Sequence, residues 1–422
     1  MNKLIKRVAC PLIVSGMAAF NAAADTLMWT GVGDGIWNLT GTNWVDTVSG
    51  SSVTTGGTDD LTFASGGVNP ITVSGSQGAN KLAITADGYV FNSGSIFVNG
   101  DAVRITAANS TTTTFNSYVK SNGVQFDNIV SGQSGVVIFN GGGSFGDIGQ
   151  NSATSSRGTV ILNSGSYVLG NFVKIGGVND SATGLQIRKG VTATNNSGQF
   201  WIGYGWNAMI TIDGLLDTTN SFTTIGRNNT GRVLVNTGTF INTRNEENRG
   251  LSVAYNGTGI LEVSGGLLST THLAVGNGGA GTVTISGSGA AVVNTELVLG
   301  AGYGSVATSG SARLDLGGGV LKIGGGGMVN KGGGTFGYLV TLSGGTLGTT
   351  GTAGWVSALN MTLSDASGGV TVEADQDITL SGVLSGTGGL TKAGGGTLLL
   401  SGVNSYTGDT TVSAGTLTVD GG

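Results

Sequence analysis

The sequence predicts an all-β protein built as a parallel β-helix, a solenoid with coils of about 25 residues and a distinct N-terminal cap. Three observations carry this. Short apolar-x-apolar runs recur at nearly even spacing. Glycine, 82 of 422 residues, falls mainly between those runs, where turns belong. No segment beyond residue 24 has the apolar period of a helix.

The main repeated element is a small residue, a spacer and an apolar-x-apolar pair. It starts at Gly158 (GTVIL), Thr183 (TGLQI), Ala208 (AMITI), Gly231 (GRVLV), Gly259 (GILEV), Gly281 (GTVTI) and Ala312 (ARLDL), at intervals of 25, 25, 23, 28, 22 and 31 residues. A second element alternates with it: Phe172 (FVKIG), Phe200 (FWIG), Phe222 (FTTIG), Leu251 (LSVA), Leu273 (LAVG) and Leu297 (LVLG). Alternation with period 2 buries one side of a strand and wets the other. A unit this short cannot bury its apolar side alone, so each unit must stack on its neighbours as one coil. The inward pairs are then Val160/Leu162, Ile210/Ile212, Val233/Val235, Leu261/Val263 and Val283/Ile285. The residue after each pair is short and polar (Asn163, Asp213, Asn236, Ser264, Ser286), as expected of a corner side chain bonding its local backbone, with Arg188 the exception.

Four segments follow. Residues 1–24 read as an export leader: Lys3, Lys6 and Arg7 precede the apolar run 8–20, and Ala22-Ala23-Ala24 gives a small-x-small cleavage pattern. That run is too short to span a bilayer, so no membrane segment is expected in the mature chain. Residues 25–110 read as the cap and first coils, where the pattern is loose (Ile71-Thr72-Val73, Leu82-Ala83-Ile84). Residues 111–316 hold the regular coils, although the repeat tightens only at Gly158. In 317–422, glycine tracts at 317–319, 324–327 and 332–334 interrupt the pattern before strands resume at Tyr338.

Composition narrows the function. Hydrophobic residues make up 38% and charged residues 10%, the reverse of a disordered chain. Removing the leader takes away three basic residues and no acidic one, moving the net charge from −5 to −8. No basic stripe is left to neutralise phosphates, which excludes nucleic acid as a partner. The single cysteine, Cys10, leaves with the leader, so neither a disulfide nor a cysteine-bound zinc is available.

The last 35 residues are the most specific. Gly389-Leu390-Thr391-Lys392-Ala393-Gly394-Gly395-Gly396-Thr397-Leu398-Leu399-Leu400-Ser401-Gly402, then Asn404-Ser405-Tyr406-Thr407-Gly408, Thr410 and Gly415-Thr416-Leu417, resemble the autotransporter-associated β-strand repeat, also called the passenger-associated transport repeat. The resemblance, over 388–422, implies a right-handed parallel β-helix, a repeat that assists folding during export across a bacterial outer membrane, and the export machinery as a partner. Asp409 stands where that repeat usually has glycine. Trp29, Trp37 and Trp44 in WTGVGDGIWNLTGTNW are similar to the opening of such passengers and are expected to cap the first coil. The two Gly-Thr-apolar-x-apolar elements at 396–400 and 415–419 are expected to continue the register of Gly158 and Gly281. Nothing matches the aromatic-girdled strands of a membrane barrel. That leaves open a truncated autotransporter lacking its barrel, a freely secreted relative, and a relative anchored by other means.

No catalytic, cofactor or metal residue is expected. The outward middle positions of the main element are Ile161, Gln186, Thr211, Leu234, Glu262, Thr284 and Asp315, where Thr284 separates the two acids and no pair suits glycoside hydrolysis. Glu246 and Glu247 read as a solvated loop. His272, the lone histidine, is expected to face out without a partner. Trp201, Tyr204 and Trp206 are the candidate ligand-contact aromatics: Phe200 and Ile202 point inward, which leaves Trp201 outside and the other two at the next corner. Exposed rings stack on sugars or bury against a partner protein. The preferred reading is a local clasp over a corner. The expected function is a non-enzymatic, passenger-like surface protein of stalk or adhesin type, secreted or at the bacterial outer surface, with cell-surface glycans or proteins as partners. The alternatives are a β-helical polysaccharide-degrading enzyme and a carbohydrate-binding module.

Overall fold

A computed structural model describes residues 25–421 except 54, 56, 100–104, 109, 128–134, 149–157, 171, 176–183, 196–197, 206, 246–249, 303–304, 352 and 366–367. The leader 1–24, Trp206, Glu246 and Glu247 therefore lie outside the described residues. The rest is a parallel β-solenoid of about 13 turns with coils of ~24 residues and no helix. At the ~4.8 Å spacing of paired strands, those turns make a rod about 60 Å long.

Each coil has three faces. The first carries the main repeated element, in fifteen strands from Ile36–Trp37 to Leu384–Gly386. Its register is continuous: Val160 pairs with Leu185, Leu185 with Ile210, Ile210 with Val233, Val233 with Leu261 and Leu261 with Val283. All the inward pairs named above are buried. The third face carries the second element, as in Gln199–Ile202, Phe222–Arg227 and Leu251–Tyr255. The second face, for example Ser166–Leu169, Leu215–Asp217 and Thr239–Asn242, has no counterpart in the sequence reading. Its strands are short and several open on Thr or Ser, so their alternation is weak. Thr-Phe-Ile-Asn at 239–242 shows the signal that exists, one large inward residue after a small corner residue.

The cap is built differently. Thr26–Trp29 pairs antiparallel with Trp44–Asp46 and parallel with Asp60–Phe63, so one strand joins the hairpin to the first coil. Trp29, Trp37 and Trp44 are buried together, with Trp29–Trp44 centroids 5.0 Å apart and Trp37–Trp44 5.7 Å. Aromatic packing then continues up the axis, through Phe63–Phe91 at 4.9 Å, Phe91–Phe115 at 4.7 Å and Phe115–Phe139 at 5.1 Å. The pattern looked loose before Gly158 because Phe fills inward positions that Val, Ile and Leu fill later. Ladders there follow the same frame, as Phe91 to Phe115 and Phe115 to Phe139.

Two further expectations change. The glycine tracts are not interruptions. They are the three corners of one coil, whose strands are Ser311–Gly317, Val320–Ile323, Gly327–Asn330 and, in the next coil, Gly337–Leu342. The corner asparagines bond along the axis rather than to local backbone: Asn116 donates to Asn92 at 2.7 Å, Asn140 to Asn116 at 2.7 Å and Asn163 to Asn140 at 3.0 Å. Coils 4.8 Å apart put identical amides within reach of one another. Inside the corner between the second and third faces, Asn242 Nδ2 lies 3.1 Å from Thr218 O, Thr218 Oγ1, Ser221 O and Thr223 Oγ1.

Candidate functional site

Third-face strands end in left-handed residues: Gly203 (φ 78°), Gly226 (79°), Ala254 (72°), Gly276 (79°) and Gly300 (72°). Glycine takes this conformation freely. A Cβ at Gly226 would also sit 2.3 Å from Thr258 O of the next coil. The residue that follows recurs as Tyr204, Arg227, Tyr255 and Asn277, with Arg227 paired to Tyr255 and Tyr255 to Asn277. Rings and cations interleave along this column. Trp201 and Tyr204 centroids are 4.7 Å apart. Arg227 Cζ lies 4.5 Å from the Trp201 ring and 4.3 Å from the Tyr255 ring, and Lys174 Nζ lies 5.3 Å from that of Tyr204.

Trp201 was expected to stand open. It projects from the outer side of its strand yet is only 8% exposed, because Tyr204 and Arg227 close over it. A ring so covered has little surface for a ligand. Its contacts tie successive coils, each cation–π pair contributing about 0.5–2 kcal/mol. Sequence reading missed Arg227, Tyr255 and Lys174. The signal was the repeat position just after the left-handed residue.

Glu262, Asp315, Glu296 and Glu373 each face a cation. The first-face outward column runs Ile161, Gln186, Thr211, Leu234, Glu262, Thr284, Asp315 in register. Glu262 sits 2.5 Å from Arg232, and Asp315 2.5 Å from Arg313. The hydrogen bond from Arg313 to Asp315, and then their Coulomb attraction, raise the Arg313 pKa above its ordinary value. Glu296 pairs with Lys331 at 3.1 Å and Glu373 with Lys322 at 3.0 Å. Among the described residues no group of three or more His, Cys, Asp or Glu could hold a metal. His272 is not open to solvent as expected. It is 7% exposed, beside a register shift between Thr270 and His272, and is paired with Glu296 of the next coil.

The last two coils contain a lysine inside the rod. The inward second-face column runs Leu321, Leu347, Val372, Lys392, Val412. Lys392 has 0% exposure, and its Nζ donates to Ala393 O at 2.7 Å, Gly394 O at 2.8 Å and Ala414 O at 3.0 Å. Three acceptors match the three protons of an ammonium. Two belong to its own coil and one to the next. Burial lowers the Lys392 pKa, and the charge of Asp375 opposes the shift more weakly. A Cβ at Gly415 would meet Nζ at 2.7 Å, so the glycine there makes room for the lysine. The elements at 396–400 and 415–419 do stack as successive coils, Leu398 on Leu417. They lie on the third face, however, not on that of Gly158 and Gly281, because Gly-Thr-apolar-x-apolar encodes only a corner followed by a strand.

The profile of the Passenger-associated-transport-repeat matches residues 390–419. The matched segment starts in the second-face strand holding Lys392 and ends in the third-face strand of the following coil, Thr416–Val419. It therefore spans both partners of the Lys392 bond to Ala414. The β-solenoid that carries it is the fold typical of autotransporter passengers. Neither the curated proteins nor the solved structures contain a match to this chain.

Proposed function

We propose that this chain is an exported, non-enzymatic surface protein of stalk or adhesin type, whose terminal repeat assists folding during passage through the outer membrane. The observation that carries the reading is the long stack of parallel coils leading into a passenger-associated transport repeat. A repeat of this kind implies an export route to the cell surface. The rod itself does mechanical work: parallel ladders and a largely apolar interior resist bending, and each coil templates the next. The non-enzymatic part of the reading is supported by the acids Glu262, Asp315, Glu296 and Glu373, each neutralised by a basic neighbour rather than poised in an acid/base pair.

The test is delivery. Fused to an outer-membrane barrel translocator, the chain is expected to appear outside the cell as a protease-resistant rod. Deleting 390–419 is expected to slow its appearance and raise its protease sensitivity. Equal surface kinetics and equal resistance with and without the repeat overturn the proposal.

A further inference from the structure

The first-face ladder opens along part of one strand near the C-terminal end of the stack. The strand Gly337–Leu342 pairs with the preceding coil at six positions, from Ser311/Gly337 to Leu316/Leu342. It pairs with the next coil at only two, Thr341/Thr362 and Leu342/Leu363. The half-strand 337–340 thus borders a groove of about 350 Å³, within the range of small-ligand sites.

Its lining is aromatic and polar without charge. Phe336 and Tyr338, both half-buried, line it with Leu339, which is 42% exposed. Asn330 and Asn360 supply amides, and Thr362 and Ser385 hydroxyls. The amides have defined orientations. Asn330 Oδ1 accepts the Gly332 N–H at 2.9 Å, and Asn360 Oδ1 accepts the Val383 N–H at 2.9 Å. A backbone N–H can only donate, so the bonded atom is the amide oxygen and the NH2 is left as a donor. The Tyr338 hydroxyl accepts the Asn360 N–H at 3.2 Å, which leaves its own proton to donate. Phe336 is set in place by Gly332, where a Cβ would lie 2.2 Å from the ring.

We infer that this groove binds a neutral oligosaccharide. Sugar rings present apolar C–H faces, which pack on aromatic rings, and hydroxyl oxygens, which accept from fixed N–H and O–H donors. A uronate or sulfated glycan needs a cation, and none lines the groove. The inference deepens the surface-protein reading by naming a ligand class and moving the contact away from Trp201, whose ring is covered.

The experiment is calorimetric titration of the purified chain with cellohexaose, maltohexaose and a wider array of neutral oligosaccharides, and with polygalacturonate. Asn330→Asp and Asn360→Asp keep an acceptor oxygen for the backbone N–H and replace the amide donor with a charged oxygen that can only accept. Each is expected to lower affinity for a neutral glycan about tenfold, the loss of one good hydrogen bond. Hydrogen exchange of 337–363 is expected to stay unchanged in both, and Trp201→Phe is expected to leave binding intact. The idea is overturned if no neutral glycan binds, if polygalacturonate binds as well, or if both Asp variants bind normally. Surface delivery is not read by this titration, so the export proposal and this one can fail separately.

Discussion

Lys392→Met removes the interior ammonium while keeping a flexible chain of similar length. Three bonds from a charged donor contribute about 1.5–3 kcal/mol each, and the low end applies because Ala393 and Gly394 are partly open to water and Ala414 is exposed. Their sum of roughly 5 kcal/mol is offset by the several kcal/mol that desolvating one ammonium costs. The net expectation is a loss of about 2 kcal/mol, a factor of about 30 in a local opening constant. A solenoid opens coil by coil rather than all at once, so the loss should appear where the third bond lands. The assay is hydrogen exchange read by mass spectrometry. Thr410–Val412 and Thr416–Val419 are expected to exchange about 30-fold faster, while Ala280–Ser286 stays unchanged. The pH dependence follows from the lowered pKa. Between the folded-state value and the ordinary 10.5, the unfolded chain binds more protons than the folded one, so stability rises with pH across that window. Lys392→Met should abolish that rise. Unchanged protection at 410–419, or a uniform change along the whole rod, refutes the assignment of Lys392 as the tie between these coils.

Asn242→Asp places a carboxyl oxygen against four oxygens at 3.1 Å. The acid should stay protonated in the folded state above the ordinary carboxylate range, so urea melts should show a deficit that widens from pH 4.5 to pH 7.5, reaching at least about 3 kcal/mol. Gly226→Ala combines a left-handed φ with a 2.3 Å approach to Thr258 O and should cost about 2 kcal/mol or more, seen as a lower melting temperature. Trp44→Ala empties the centre of the cap and should cost about 3–5 kcal/mol, measured as earlier proteolysis of 25–98 than of later coils.

Much of the rod is legible in the sequence because period-2 alternation and stacking leave little choice. Val233/Val235 and Leu261/Val263 are inward since any other register would expose them. The second face was hidden because short strands opening on Thr or Ser show too few alternations. The phenylalanine stretch before Gly158 was hidden because one residue class replaced another within the same frame. Trp201 was placed on the correct side of its strand, yet its exposure depends on Arg227, 26 positions away, and on a corner that brings the next coil over it.

The sequence by itself determined a β-solenoid with coils of near-constant length, an aromatic cap and a terminal transport repeat. These follow from local pattern, and stacking of like on like repeats that pattern without new information. Only the tertiary structure decided which outward residues meet. Neighbours across a ladder lie about 4.8 Å apart in space but some two dozen positions apart in the chain. The tie from Lys392 to Ala414, the Tyr204–Trp201–Arg227–Tyr255 column and the opened ladder at Gly337–Val340 therefore arise from exact coil lengths and corner geometry, which alternation alone does not specify.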